Sequence, residues 1–191
     1  MTRRALRDGA LPLLVLACVG WGAPARAQLP ASPFSVGARV FAAEPTDRED
    51  GPLERGTGFG VDAGYTLRSG FTLYAGFSRI TFPLEDAGEG ADKVDSGVDL
   101  GVLSGRPFGG IPFWFRAGVV FHEAETHLES AGGDGQNDGK TGIGVDGGVG
   151  VLVRLGRHLA VTPGIGYTAY PIGDPGGATH VRAELGVRVR P

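Results

Sequence analysis

The sequence predicts an all-β chain folded as one eight-stranded antiparallel up-and-down transmembrane β-barrel, and three observations predict it. Apolar residues alternate with small or charged ones along most of the chain, and no long stretch carries an apolar stripe of period 3.6. Glycine supplies 35 of 191 residues without a Gly-X-Y period, which disfavours helix and excludes collagen. Short and long connectors alternate strictly between the patterned segments, as in a sheet whose two ends face different surroundings. The hydrophobic share of 41% is too high for a disordered chain. A mean hydropathy of +0.01, with no series of apolar runs of about 20 residues, excludes a polytopic helical membrane protein.

The chain opens on an export signal. Thr2–Arg7 is positively charged, Leu11–Val19 is apolar, and Ala25-Arg26-Ala27 is a small-x-small cleavage site. The domain division is therefore a signal peptide over 1–27 and a barrel over 28–191, with Gln28 as the mature start. Val15-Leu16-Ala17-Cys18 also has the form of a lipid-attachment site, in which case Cys18 would be the lipidated first residue. Cleavage after Ala27 leaves no cysteine, so the exported chain relies on burial, hydrogen bonding or lipid rather than disulfides.

Eight segments follow in order, each long enough for the roughly 9–11 residues with which a tilted strand crosses a bilayer. Segment 34–43 carries Arg39 on its polar face. In 57–68, Phe59, Val61 and Tyr65 alternate with Gly58, Gly60, Asp62 and Gly64. Segment 71–82 places Leu73 and Phe77 on one face. In 93–104, Val98 and Leu100 alternate with Asp95, Gly97, Asp99 and Gly101. Segment 112–124 sets Phe113, Phe115 and Val119 against Arg116 and Gly118. The clearest alternation is in 141–155, where Ile143, Val145, Val149, Val151 and Val153 oppose Gly144, Asp146, Gly148 and Arg154. In 158–171, Val161, Ile165 and Tyr167 oppose Gly164 and Gly166, while Pro163, which cannot donate to a ladder, predicts a bulge or break. The last segment, 179–190, sets Val181, Leu185, Val187 and Val189 against His180, Arg182, Glu184 and Arg188. Ser69-Gly70 and Gly156-Arg157 are tight turns and 105–111 is a compact connector. The connectors 44–56, 83–92, 125–140 and 172–178 are long.

Alternation alone does not say which face is inside. The polar face is crowded with glycine and with Arg and Asp of mixed sign, and it lacks the Lys, Glu and Gln of a solvated surface. That suits a narrow lumen filled by side chains, with the charges paired across it. The uncharged apolar face then meets lipid. Tyr65, Phe71, Phe108, Phe113 and Phe115 near the short turns, and Phe82, Phe121 and Tyr170 towards the long connectors, are candidates for two aromatic girdles.

This pattern resembles the small eight-stranded outer-membrane β-barrels, the outer-membrane-protein-A-like or opacity-like class, over the whole of 28–191. The resemblance implies short periplasmic turns, both termini in the periplasm and four long external loops. One departure is the ending Glu184-Leu-Gly-Val-Arg-Val-Arg-Pro191, which lacks the final aromatic residue that such barrels present to their insertion machinery.

Residues that could carry chemistry fit other readings better. Gly142-Ile-Gly-Val-Asp-Gly147 has the G-x-G-x-x-G spacing but continues into more strand rather than a helix, so it is not a nucleotide site. Gly132–Gly139 offers Asp134, Asn137 and Asp138 as calcium ligands, yet Val145 stands where a calcium loop needs a bidentate Glu. His122, Glu123, Glu125, His127 and Ser130 suggest a hydrolase set, but His122 and His127 have opposite parity and point to opposite faces. His158 and His180 stand singly. No catalytic, cofactor-binding or metal-binding residue is assigned, and no cofactor is expected.

The long connectors are acidic (Glu44, Asp47, Glu49, Asp50, Glu85, Asp86, Glu89), which serves solubility and offers contact with anionic outer-leaflet lipid through divalent cations. Scattered arginines give no nucleic-acid surface. The expected protein is a monomeric, non-enzymatic outer-membrane barrel with a structural, envelope-stability or surface-interaction role and no wide pore. A soluble or lipid-anchored periplasmic barrel that binds an apolar ligand, and an outer-membrane lipid-modifying enzyme, are the alternatives.

Overall fold

The computed structural model of the chain describes residues 32–46, 53–84, 91–130, 133–136, 140–172 and 178–191. The signal segment 1–27 lies outside the described residues. Ten strands follow in order: β1 (Phe34–Pro45), β2 (Gly56–Thr66), β3 (Phe71–Pro83), β4 (Asp92–Phe108), β5 (Ile111–Ser130), β6 (Gly133–Gln136), β7 (Lys140–Val151), β8 (Val153–Arg154), β9 (Leu159–Ile172) and β10 (His180–Val189). All pairings are antiparallel between neighbours, and β10 pairs with both β9 and β1. β7 and β8 both pair with β9 and form one stave interrupted at Leu152, while β6 extends β5 beyond the barrel. The result is a closed barrel of eight staves, which leave no edge strand in the ring.

Side-chain parity is inside-out by the standards of a soluble barrel. Val36 and Ile165 are 61% and 59% exposed on the outer surface, whereas Asp95 and Asp99 inside are 0% and 2% exposed. A continuous apolar belt of that kind is unstable in water and belongs in lipid. On β5 the belt runs from Phe113 to Phe121 through Phe115 and Val119. Above it the outward residues become Arg79, Glu123 and Thr141. The closed ladder satisfies the backbone polar groups that lipid could not.

Four expectations change in detail. The compact connector 105–111 is mostly strand: β4 and β5 pair as far as Phe108 and Ile111, around a two-residue Gly109-Gly110 turn. Both glycines have positive φ, 59° and 85°, which a tight hairpin turn requires and a side chain would strain. Part of 125–140 is also strand, since β5 continues to Ser130 and pairs with β6. Of the calcium-loop candidates, Asp134 lies on β6, and Asn137 and Asp138 fall outside the described residues.

Pro163 does not interrupt its own strand. Its missing N–H is accommodated in the neighbouring stave, where the pairing of β7 with β9 ends at Gly150↔Gly164 and resumes at Val153↔Val161. The Pro163 carbonyl instead accepts a hydrogen bond from Trp114 Nε1 at 3.3 Å.

The upper aromatic girdle is the fourth change. Phe82 and Tyr170 are 0% and 6% exposed and point into the lumen; of the three candidates only Phe121 faces out. Even parity on β3 and β9 forces this, since Thr72, Tyr74, Ser78 and Ile80, and Gly166 and Thr168, face inward on the same strands. The lower girdle is present: Phe34 meets Tyr65 edge-on at 5.2 Å between ring centres, and Phe113 lies 6.4 Å from Phe108 and 6.5 Å from Phe115.

Candidate functional site

The lumen holds the polar residues that the sequence set apart, and it is arranged in levels. At the long-connector end an apolar plug of Phe41, Ala43, Ile80, Phe82 and Ala178 packs against Leu53. It shields everything beneath it from that end.

Below the plug sits a cluster on His122. Its Nε2 lies 2.9 Å from Asp99 Oδ1, and its Nδ1 lies 3.0 Å from Asp95 Oδ1 and 2.9 Å from the Tyr170 hydroxyl. Tyr170 donates to Asp95 Oδ2 at 2.8 Å, and Ser78 Oγ donates to Asp99 Oδ1 at 3.1 Å. Arg39 Nη2 donates to the other Asp99 oxygen at 2.5 Å. Ser78 Oγ is also 3.2 Å from His122 Nε2, so serine, histidine and aspartate meet here.

This is not a hydrolytic triad. A general base must present a lone pair to the serine, yet Nε2 faces a carboxylate and Nδ1 faces a hydroxyl whose own proton is given to Asp95. Both ring nitrogens therefore donate, and the serine proton is committed to Asp99. The void beside the cluster is about 10 Å³, lined by Ser78, Asp99, His122 and Arg182 among others. That is room for about one water molecule and for no substrate.

The next level is a four-charge network. Arg116 Nε donates to Asp146 Oδ1 at 2.8 Å and its Nη2 to Glu184 Oε2 at 3.0 Å. Arg182 Nε donates to the same Glu184 oxygen at 3.1 Å, and Arg182 also bonds Asp146 and Thr168. Thr168 Oγ1 donates to Asp146 Oδ2 at 3.0 Å. All four charged side chains are 3–5% exposed. Charges this deep are tolerable only when paired and hydrogen-bonded throughout, as these are. Two arginines and two carboxylates from β5, β7 and β10 thus tie the walls together across the lumen.

Trp114 forms the floor of the sealed half. Its indole occupies the space that Gly148, Gly150 and Gly164 leave open, and a Cβ at Gly150 would come within 2.7 Å of Trp114 Nε1. The guanidinium of Arg116 stacks 5.7 Å from the ring centre. Beneath it the lumen opens towards the short turns, where Arg188 bonds Asp62 at 2.5 Å and Ser35 at 3.0 Å.

The expected hydrolase set is scattered. His122 is inside, whereas His127 has outward parity and lies 3.3 Å from Glu125 and 3.4 Å from Asp92. Of Ser130 only the backbone is described, paired with Gly133. His180 is buried, with Nδ1 donating to the Ala178 carbonyl at 2.6 Å and its ring against Phe82. The expected charge pairing across the lumen is present for Arg39, Asp62, Asp95, Asp99, Arg116, Asp146, Arg182, Glu184 and Arg188. Sequence reasoning missed Ser78, Trp114, Thr168 and Tyr170 as members; their even parity was the available signal.

Comparison with known proteins agrees with this geometry. Neisserial surface protein A superposes with a TM-score of 0.62 at 18% identity, covering 83% of this chain and 97% of that one. Ail, the attachment invasion locus protein of Yersinia pestis, does so with a TM-score of 0.50 at 14% identity, over 82% and 95%. No curated protein matches the sequence. The family described as outer membrane protein beta-barrel domain matches residues 11–189, so a closed barrel with an apolar belt and a charge-paired lumen is here the fold of a chain that belongs to that family.

Proposed function

We propose that the protein is a non-enzymatic, monomeric structural element of the outer membrane, which conducts no solutes and meets its surroundings through its loops and lipid belt. The sealed upper lumen carries this reading. A path from the long-connector end would have to pass the Phe41–Phe82 plug, the His122 cluster and the Arg116–Asp146–Arg182–Glu184 network, where the void holds about one water. The absence of a hydrolytic arrangement around His122 supports the non-enzymatic part. The acidic long connectors support contact with anionic outer-leaflet lipid through divalent cations; several of their residues, Asp47, Glu49, Asp50 and Glu85 among them, lie outside the described residues.

The test is electrical. The folded protein, added to a planar bilayer, is expected to leave the membrane at its background conductance. Stable stepwise openings that track protein concentration would contradict the proposal. Fractionation with and without boiling on a detergent gel checks the setting: a membrane barrel stays with the outer membrane and migrates differently when unheated.

A further inference from the structure

The lower half of the lumen is a basin of about 1420 Å³ that opens at the short-turn end, with Trp114 in its lining. It exceeds the usual 300–1,000 Å³ of a small-molecule site. Eight arginines and His158 line it, Arg39 and Arg116 from the paired levels above, against two acidic side chains, Asp62 and Glu184. Arg39, Arg116 and Arg188 are accounted for by Asp99, by Asp146 with Glu184, and by Asp62. Arg106 has outward parity and stacks 5.8 Å from the centre of the Phe71 ring. Arg68, Arg154, Arg157 and Arg190 form no ion pair among the described residues.

The strand register gathers most of these charges on one wall. Arg154 pairs across β8 and β9 with Ala160, and Ala160 pairs across β9 and β10 with Arg188. The two arginines thus flank one small residue on the lumen face, with stems about 10 Å apart at ordinary strand spacing. On its far side Arg188 reaches Asp62 over Gly37, where a Cβ would sit 2.6 Å from Asp62 Oδ2 and 3.0 Å from Arg188 Nη2. Glycine at 37 is what lets that pair form. No acid stands on the Arg154 side.

A second row lies below. The Arg190 amide donates to the His158 carbonyl at 2.8 Å, and His158 Nδ1 donates back to the Arg190 carbonyl at 2.7 Å. This fixes Arg190 and His158 next to Arg157 in the turn. Burial first, then Arg188 and Arg154, lower the pKa of Arg190, as expected where like charges crowd without a counterion. The mature segment before β1, Gln28-Leu-Pro-Ala-Ser-Pro33, contains no acid that could neutralise them.

We propose that this wall is an anion site open to the periplasm, which takes a phosphate-bearing ligand through Arg154 and Arg190, with Arg157 at the rim and Arg188 behind. Guanidinium forks match phosphate oxygens in pairs, and several uncompensated forks on one wall suit a multiply charged group better than a single carboxylate. The phosphate can come from an anionic lipid headgroup of the inner leaflet at the mouth or from a soluble phosphate compound.

Inorganic tripolyphosphate is the probe. The folded full-length mature barrel, in a zwitterionic detergent, is titrated calorimetrically. Saturable binding of one equivalent is expected, weakening as salt rises. Arg154→Gln and Arg190→Gln should each weaken it by about tenfold, roughly the worth of one charge-assisted fork. Arg79→Gln, on the outer surface, should leave it unchanged. Heat-dependent gel mobility checks that each variant is folded. Arg157→Gln, in an exposed turn, provides a weaker variant with an expected loss of about threefold if either of the others fails to fold. The titration is repeated in nanodiscs of phosphatidylcholine and of a four-to-one mixture with phosphatidylglycerol. Suppression by phosphatidylglycerol assigns the site to lipid headgroups, and undiminished binding assigns it to soluble phosphates. No saturable binding, or binding indifferent to the arginine substitutions, overturns the proposal.

Discussion

The two halves of the lumen use the same residue types to opposite effect. In the upper half Arg39, Arg116 and Arg182 are each matched to carboxylates at hydrogen-bond distance, under an apolar plug, and the space that remains holds about one water. In the lower half Arg68, Arg154, Arg157 and Arg190 face a basin of about 1420 Å³ with no matching acids among the described residues. The difference lies in what surrounds the charge. Where water is excluded, an arginine must bring its partner, because an unpaired buried charge costs several kcal/mol. Where water enters, an arginine can stand alone, and it stays available to a ligand.

That contrast can be broken or sharpened by substitution, with stability read from urea unfolding of the folded barrel in detergent. Asp146→Ala leaves Arg116 and Arg182 in the sealed half with the single carboxylate of Glu184 between them, and is expected to cost about 3–5 kcal/mol. A loss below about 1 kcal/mol would mean that water reaches this level. Ile165→Arg places a cation at mid-belt on the outer face and should cost about 2–4 kcal/mol. Tolerance there would show that the apolar belt is not in lipid. Asp62→Ala leaves Arg188 beside the open basin, where water can hydrate it, so the expected cost is about 1–2 kcal/mol. A loss equal to that of Asp146→Ala would erase the distinction between the halves. Glu44→Ala removes an exposed pair with Arg55, whose side chains are 62% and 73% exposed, and should cost less than about 0.5 kcal/mol.

Much of this was legible in the sequence because a strand has a period of two. Once one residue of a segment is assigned to a face, parity assigns the rest: Val36 and Ile165 outward, Asp99 and Arg182 inward. The same rule applied to Phe82 and Tyr170 would have placed them in the lumen. Their aromatic character suggested a girdle instead, and parity outweighed residue type. The compact connector expected over 105–111 is there but shorter, a turn at Gly109-Gly110, because β4 continues through Arg106 and Pro107 to Phe108. Pro163 marked a break correctly but on the wrong strand, since the cost of a missing donor falls on the partner ladder.

The meeting of Ser78, His122, Asp95 and Tyr170 was not legible. Those residues come from β3, β5, β4 and β9, and their contact depends on how the staves are staggered around the barrel. The concentration of arginines on one wall has the same origin. Arg154 and Arg188 are 34 positions apart and meet through the pairing of each with Ala160.

The central claim is that the lumen is sealed above Trp114 and wet below it, and single cysteines test it most directly. The sequence from residue 28 onward contains no cysteine. Ala160→Cys lies in the basin wall and Ser78→Cys lines the sealed void. In folded barrels, a small water-soluble thiol reagent is expected to label position 160 rapidly and to reach position 78 only after unfolding. Labelling of both at similar rates would contradict the account.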